Sequence, residues 1–137
     1  MKNNNGFTLV ELLAVVVVLA IIVTIATTST ISISNKIKGN MYCSKLDFIE
    51  NAAKLYGEDR RDSFTSNVTI NGTSYKGVVI TVKKLVETNY LKKDQSSEPY
   101  IQDPRDKKNG LDDKSITIYI KNERIYVMNW DEDTCEK

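Results

Sequence analysis

The run from Phe7 to Ala26 leaves this chain few options, because it is largely apolar and carries one formal charge, Glu11. Residues 12–23 contain no polar side chain at all. At 1.5 Å per residue, a helix over 7–26 is about 30 Å long, the thickness of a bilayer's hydrocarbon core. A run this long without an amphipathic period predicts a membrane helix. A carboxylate inside such a span is expensive and points to function, with a cationic partner to be named. The competing reading places Glu11 near the helix end, where it reaches interfacial water. Ahead of the run lie six short, polar residues with one base, Lys2, ending in the small Gly6. A cut after Gly6 would create an α-amine on Phe7, one helical turn from Glu11, and that amine is a natural counter-charge.

The string Gly6, Phe7, Thr8, Leu9, Val10, Glu11 resembles the prepilin motif of type IV pilins and pseudopilins. The resemblance implies that a membrane prepilin peptidase cuts after Gly6 and that Phe7 is then N-methylated. It implies that Glu11 pairs with the terminal amine of an adjacent subunit during assembly. The partners it implies are other pilin subunits, the prepilin peptidase, the pilus assembly machinery and, before assembly, membrane lipid. The implied fold is α+β: a long N-terminal helix with a small antiparallel sheet packed on its C-terminal half. The expected divisions are a leader at 1–6, a transmembrane and assembly helix at 7–26, a helical continuation at 27–56 and a globular head at 57–137. Family members often carry a kinking proline in the continuation; Thr28 stands there in this chain.

Composition narrows the rest. The 137 residues allow one domain beyond the helix, with a modest core. Net charge is +1, and loss of Lys2 with the leader takes Lys+Arg from 19 to 18 against 18 Asp+Glu. That balance gives no electrostatic case for nucleic acid. With no histidine, the commonest general base and metal ligand is missing. No nucleophile–base pair or phosphate loop is visible, so an enzyme is not expected, nor is a cofactor. Many Lys, Asn and Ile beside four Arg suggest an AT-rich, Gram-positive host. Cys43 and Cys135 both follow the apolar run and would be exported with the basic leader inside. An even count in an exported domain favours a bridge between them; two free thiols are the alternative.

Residues 35–56 show a helical pattern. Ile37, Met41, Phe48, Ala52 and Leu55 fall along one side of an ideal wheel, with Tyr42, Leu46, Ile49 and Ala53 beside them. The breadth of that apolar side suits a helix carrying a sheet. Extending from Phe7 to Leu55, the helix would be about 75 Å long, so its second half stands outside the membrane. Gly57 is placed to cap it. Asn71 and Gly72 between β-branched runs predict a type I′ hairpin, and Thr81 caps a short helix that stops at Asn89. Residues 92–114 read as a polar loop in which Asp103, Asp106, Asp112 and Asp113 could gather around calcium; the interleaved Arg105, Lys107 and Lys108 oppose a cation, and no metal site is assigned. Alternating Ile116, Ile118 and Ile120 begin a second hairpin that turns at Asn122 and Glu123, and Trp130 is expected to cover the sheet edge.

Function then reads as a structural subunit of a type IV pilus-like fibre, waiting in the cytoplasmic membrane and ending in an extracellular fibre. A competence or type II secretion pseudopilin, moving DNA or protein, is the alternative. Lys83, Lys84, Lys92 and Lys93 are the residues that could touch DNA, though paired lysines more often mark a solvated face. A secreted protein cut near Ala26 is a third reading.

Overall fold

A computed structural model describes residues 8–135 of the chain, apart from the side chains of 25–30 and 107. Gly6 and Phe7 therefore lie outside the described residues, as does part of the span expected at 7–26. The described chain is α+β: a long N-terminal helix, α1 (Leu9–Asp59), followed by antiparallel sheet. Strands β1 (Asn67–Ile70), β2 (Thr73–Thr81), β5 (Ser115–Lys121) and β6 (Arg124–Met128) form a four-stranded sheet in the order β1-β2-β5-β6. Between β2 and β5 come α2 (Val82–Glu87) and a separate two-stranded ribbon, β3 (Gln102–Asp103) and β4 (Asp106–Gly110). Two compact units are present, residues 1–37 and 38–137.

The core belongs to the second unit. Tyr42, Leu46, Ile49, Ala53 and Tyr56 recur at steps of four and three, which puts them on one stripe of α1, and all are buried. Opposite them stand Ile80, Ile116, Ile118 and Ile125 from the inner face of the sheet. The alternation of β5 is as the sequence suggests: Ile116 and Ile118 are buried while Thr117 and Tyr119 face outward. Cross-strand contacts on the outer face join Tyr75, Tyr119 and Tyr126, with ring centroids 5.3 and 5.6 Å apart. Such cross-strand ring pairs stabilise the sheet.

Both hairpins turn through positive φ. Asn71 and Gly72 adopt φ of 49° and 78°, and Asn122 and Glu123 adopt 49° and 62°. These are the values of a type I′ turn, whose twist matches that of the flanking strands. Thr81 accepts a hydrogen bond from the Lys84 N–H at 3.3 Å, and Asn89 leaves α2 at φ 62°. That short helix is therefore bounded by the residues expected of it.

Three expectations fail for physical reasons. Gly57 does not end α1, which runs on to Asp59. A Cβ there would meet Ile118 Cγ2 at 2.8 Å and Ile125 Cγ2 at 2.9 Å, so the glycine lets helix and sheet approach closely. The polar stretch 92–114 is not plain loop, because it contains the β3–β4 ribbon and buries Ile101 and Leu111. Finally, only half of the broad apolar side of α1 enters the core: Ile37, Met41, Phe48 and Leu55 are 52–70 % exposed.

Candidate functional site

In the first unit, Thr8 stands immediately before α1, and Glu11 lies in the helix's first turn. The Glu11 carboxylate accepts from the Thr8 N–H at 3.0 Å and from the Thr8 hydroxyl at 2.9 Å. In return the Glu11 N–H donates to Thr8 Oγ1 at 3.3 Å. This reciprocal pattern is a capping box, and it satisfies backbone donors that a helix start otherwise leaves open. The Thr-x-x-Glu spacing was visible in the sequence, yet a reading that treats Glu11 only as a charge in need of a partner overlooks it.

Beyond Glu11 the described side chains of α1 are apolar up to Val23, and the large ones between Leu12 and Val23 are 50–61 % exposed. Among the described residues no helix is long and apolar enough to cross a membrane. Phe7 and the side chains of residues 25 and 26, which belong to the span expected at 7–26, lie outside that description.

The second unit closes on its tail. Cys43 and Cys135 are joined by a disulfide across 92 positions, with Cα atoms 5.6 Å apart. Tyr42 OH donates to Asp131 Oδ2 at 2.7 Å and accepts from Trp130 Nε1 at 3.1 Å. Trp130 therefore lies against α1, half-buried, and does not simply cover the sheet edge. The Arg105 guanidinium carbon sits 3.3 Å from the centroid of the Tyr42 ring and forks onto Asp103, with contacts at 2.9 and 3.1 Å. Burial, and then the bond to Asp131, pushes the Tyr42 phenol up to about 12. Hydrogen bonds from Thr134 and Tyr42 hold the Asp131 carboxyl below its ordinary value. Burial alone would raise Asp103, but the bonds and charge of Arg105 outweigh it and keep that carboxyl low. The cluster is a closed set of paired groups that fixes residues 129–135 to α1.

The aspartates that suggested calcium are engaged elsewhere. Asp103 holds Arg105, and Asp106 accepts from the Lys108 N–H and the Asn109 amide. Asp112, buried, accepts from the Tyr100 N–H at 2.7 Å and the Ile101 N–H at 2.8 Å, organising the approach to β3. Among the described residues no group of three or more His, Cys, Asp or Glu side chains could hold a metal ion. Replacing Asp112 with alanine would strand two backbone donors, each worth about 1–3 kcal/mol when unsatisfied. Asp112→Ala should therefore lose about 2–4 kcal/mol in denaturant melts of the full chain. Asp113→Ala, at an exposed neighbour, should stay within about 0.5 kcal/mol.

Two of the four candidate DNA lysines have partners within the fold. Lys83 is ion-paired with Glu98, and Lys93 lies 5.4 Å from the Tyr100 ring centroid.

Residues 1–27 match the family model described as the prokaryotic N-terminal methylation motif, the prepilin signature of type IV pilin-type proteins. The matched stretch contains Thr8, Glu11 and the apolar run. Neither the search of curated proteins nor that of solved structures gives a match.

Proposed function

We propose that this chain is a structural subunit of a type IV pilus-like fibre, made as a precursor and matured at the membrane. The observation that carries the reading is the methylation motif over residues 1–27, with a lone acid at Glu11 heading an apolar helix. On this reading the prepilin peptidase removes residues 1–6 and Phe7 becomes the methylated terminus. Residues 7–26 hold the precursor in the cytoplasmic membrane, and the head waits outside.

Assembly exchanges lipid for neighbouring apolar helices. Lipid gives no hydrophobic advantage over a helix partner, so packing and polar pairing set the register. Glu11 supplies that pairing: its carboxylate meets the α-amine of an adjacent Phe7 in a dry setting, where an unmatched charge is costly. The compact second unit, stapled by Cys43–Cys135, forms the fibre's outer face. Its fold supports a structural role, since its polar clusters are paired among themselves and the head is fixed at its end.

Imaging the host surface before and after deletion of the gene tests this role. The account expects sheared surface fibres to contain this chain, and those fibres to vanish with the gene and return with a plasmid copy. Unaltered fibres in the deletion strain, with none of this chain in the sheared fraction, would contradict it.

A further inference from the structure

The four-stranded sheet ends at β6, whose outer edge has no strand beside it among the described residues. The β5–β6 turn decides which backbone groups that edge presents. Asn122 and Glu123 form a two-residue type I′ turn, so Lys121 and Arg124 make a hydrogen-bonded pair. Pairs alternate along an antiparallel ladder, so the N–H and C=O groups of Arg124, Tyr126 and Met128 point to β5. Those of Ile125 and Val127 point outward, and no other backbone hydrogen bond among the described residues takes them up. A cleft of about 560 Å³ runs along this edge, between Glu50, Asn51, Lys54 and Glu58 of α1 and residues 124–127 of β6. Its two acids, Glu50 and Glu58, are matched by two bases, Lys54 and Arg124, so its lining carries no net charge. The edge also lacks the usual guards against pairing. Ile125, Tyr126 and Val127 carry no charge and no proline, and the register with β5 has no bulge. On the outer face Tyr119 meets two rings, Tyr75 and Tyr126. Tyr126, 40 % exposed, meets only Tyr119 among the described residues.

We infer that β6 pairs antiparallel with β6 of a second copy of the chain, about a two-fold axis at Tyr126. Two features of the edge select this occupant. In that register Ile125 faces Val127 of the second copy, and Val127 faces its Ile125, so every outward N–H and C=O finds a partner. Tyr126 then meets Tyr126 of the second copy as a non-hydrogen-bonded pair, where side chains lie closest, and the tyrosine row continues across the seam. The sheet's other edge, β1, has 4 residues and no ring to offer Tyr126. A contact between like surfaces closes at two copies. Subunits of one helical fibre meet through unlike surfaces, so the paired edges belong to two fibres lying side by side. That placement rests on the fibre reading, whereas the pairing of the edges does not. Two strands of 5 residues bury little surface, so a single pair is weak. Repetition along two fibres multiplies it.

Covalent trapping of the full chain in detergent tests the register. Under mild oxidation Tyr126→Cys should form a dimer through position 126, with the Cys43–Cys135 bridge intact by peptide mapping. Arg124→Cys alone should stay monomeric, because its two copies lie about 14 Å apart across the axis, beyond the reach of a disulfide. Arg124→Cys mixed with Met128→Cys should give the mixed dimer, since those positions stand opposite one another. A monomeric Tyr126→Cys, or as much dimer from Arg124→Cys alone, would overturn the inference. Electron microscopy of sheared fibres tests the placement. Wild-type fibres should lie in pairs, and Tyr126→Lys should give the same fibre yield with the pairing lost. Val127→Pro should do likewise, since it removes an outward N–H and no bond to β5. Val79→Lys, at an exposed position on the outer sheet face away from the edge, should leave the pairing as it was. Single wild-type fibres, or pairs that survive both edge variants, would overturn the link between fibres. A chain that enters no fibre would remove the fibre reading, and the trapping result would still decide whether the edges pair.

Discussion

Glu11→Ala is expected to reach the membrane and lose its leader normally, yet to enter fibres poorly. The magnitude separates the capping role that the geometry gives this carboxylate from the assembly role proposed for it. As one half of a capping box with Thr8, its loss costs about 0.5–2 kcal/mol of helix stability. As the partner of a neighbouring α-amine in a dry fibre core, its loss strands a charge and costs about 3–5 kcal/mol for each contact. The second figure corresponds to a fall in incorporation on the order of a hundredfold or more. Glu11→Gln sharpens the comparison. Glutamine serves the capping box nearly as well as glutamate but carries no charge. The account expects Glu11→Gln to assemble as badly as Glu11→Ala, measured as the ratio of sheared to membrane-bound protein. Assembly restored by glutamine would make Glu11 a cap and nothing more.

Cys43→Ser combined with Cys135→Ser should produce the largest loss of stability in the head. The bridge closes a loop of 92 positions, and chain-entropy reasoning puts its contribution at about 4–5 kcal/mol. For a unit of this size each 1 kcal/mol moves the melting temperature by about 4–8 °C, so a drop of about 15 °C or more is expected. The tail would not be wholly released, since Tyr42 still holds Asp131 and Trp130, and Glu50 still accepts from the Asn129 amide. Melting of the full chain in detergent, oxidised against double serine, is the measurement. A shift below about 3 °C would show that these polar contacts fix the tail without the bridge.

The parts of this molecule that were legible in its sequence are those decided by nearest neighbours along the chain. Asn71 and Gly72 turn a hairpin because both tolerate positive φ, and Thr81 caps a helix because its hydroxyl reaches the Lys84 N–H. The alternation of Ile116 and Ile118 is set by the pleat. What could not be read depends on residues distant in sequence. Gly57 looks like a helix stop until Ile118 and Ile125 are seen against it. Phe48 and Ile49 are equally apolar, and only the position of the sheet decides that one is 70 % exposed and the other fully buried. Asp112 reads as one of four loop acids that could gather around calcium, whereas the chain folds back to place two backbone donors on it. At the candidate site the acid and the apolar run were plain, and the Thr8 partnership was a short-range signal passed over.

The central claim is that proteolysis creates the cation that a lone acid at the head of an apolar helix requires. The mass of the chain isolated from sheared fibres tests it most directly. The account predicts a protein beginning at Phe7, carrying one added methyl group, with residues 1–6 absent. A chain in those fibres that still begins at Met1, or one that begins at Thr27 with the apolar segment gone, would contradict it.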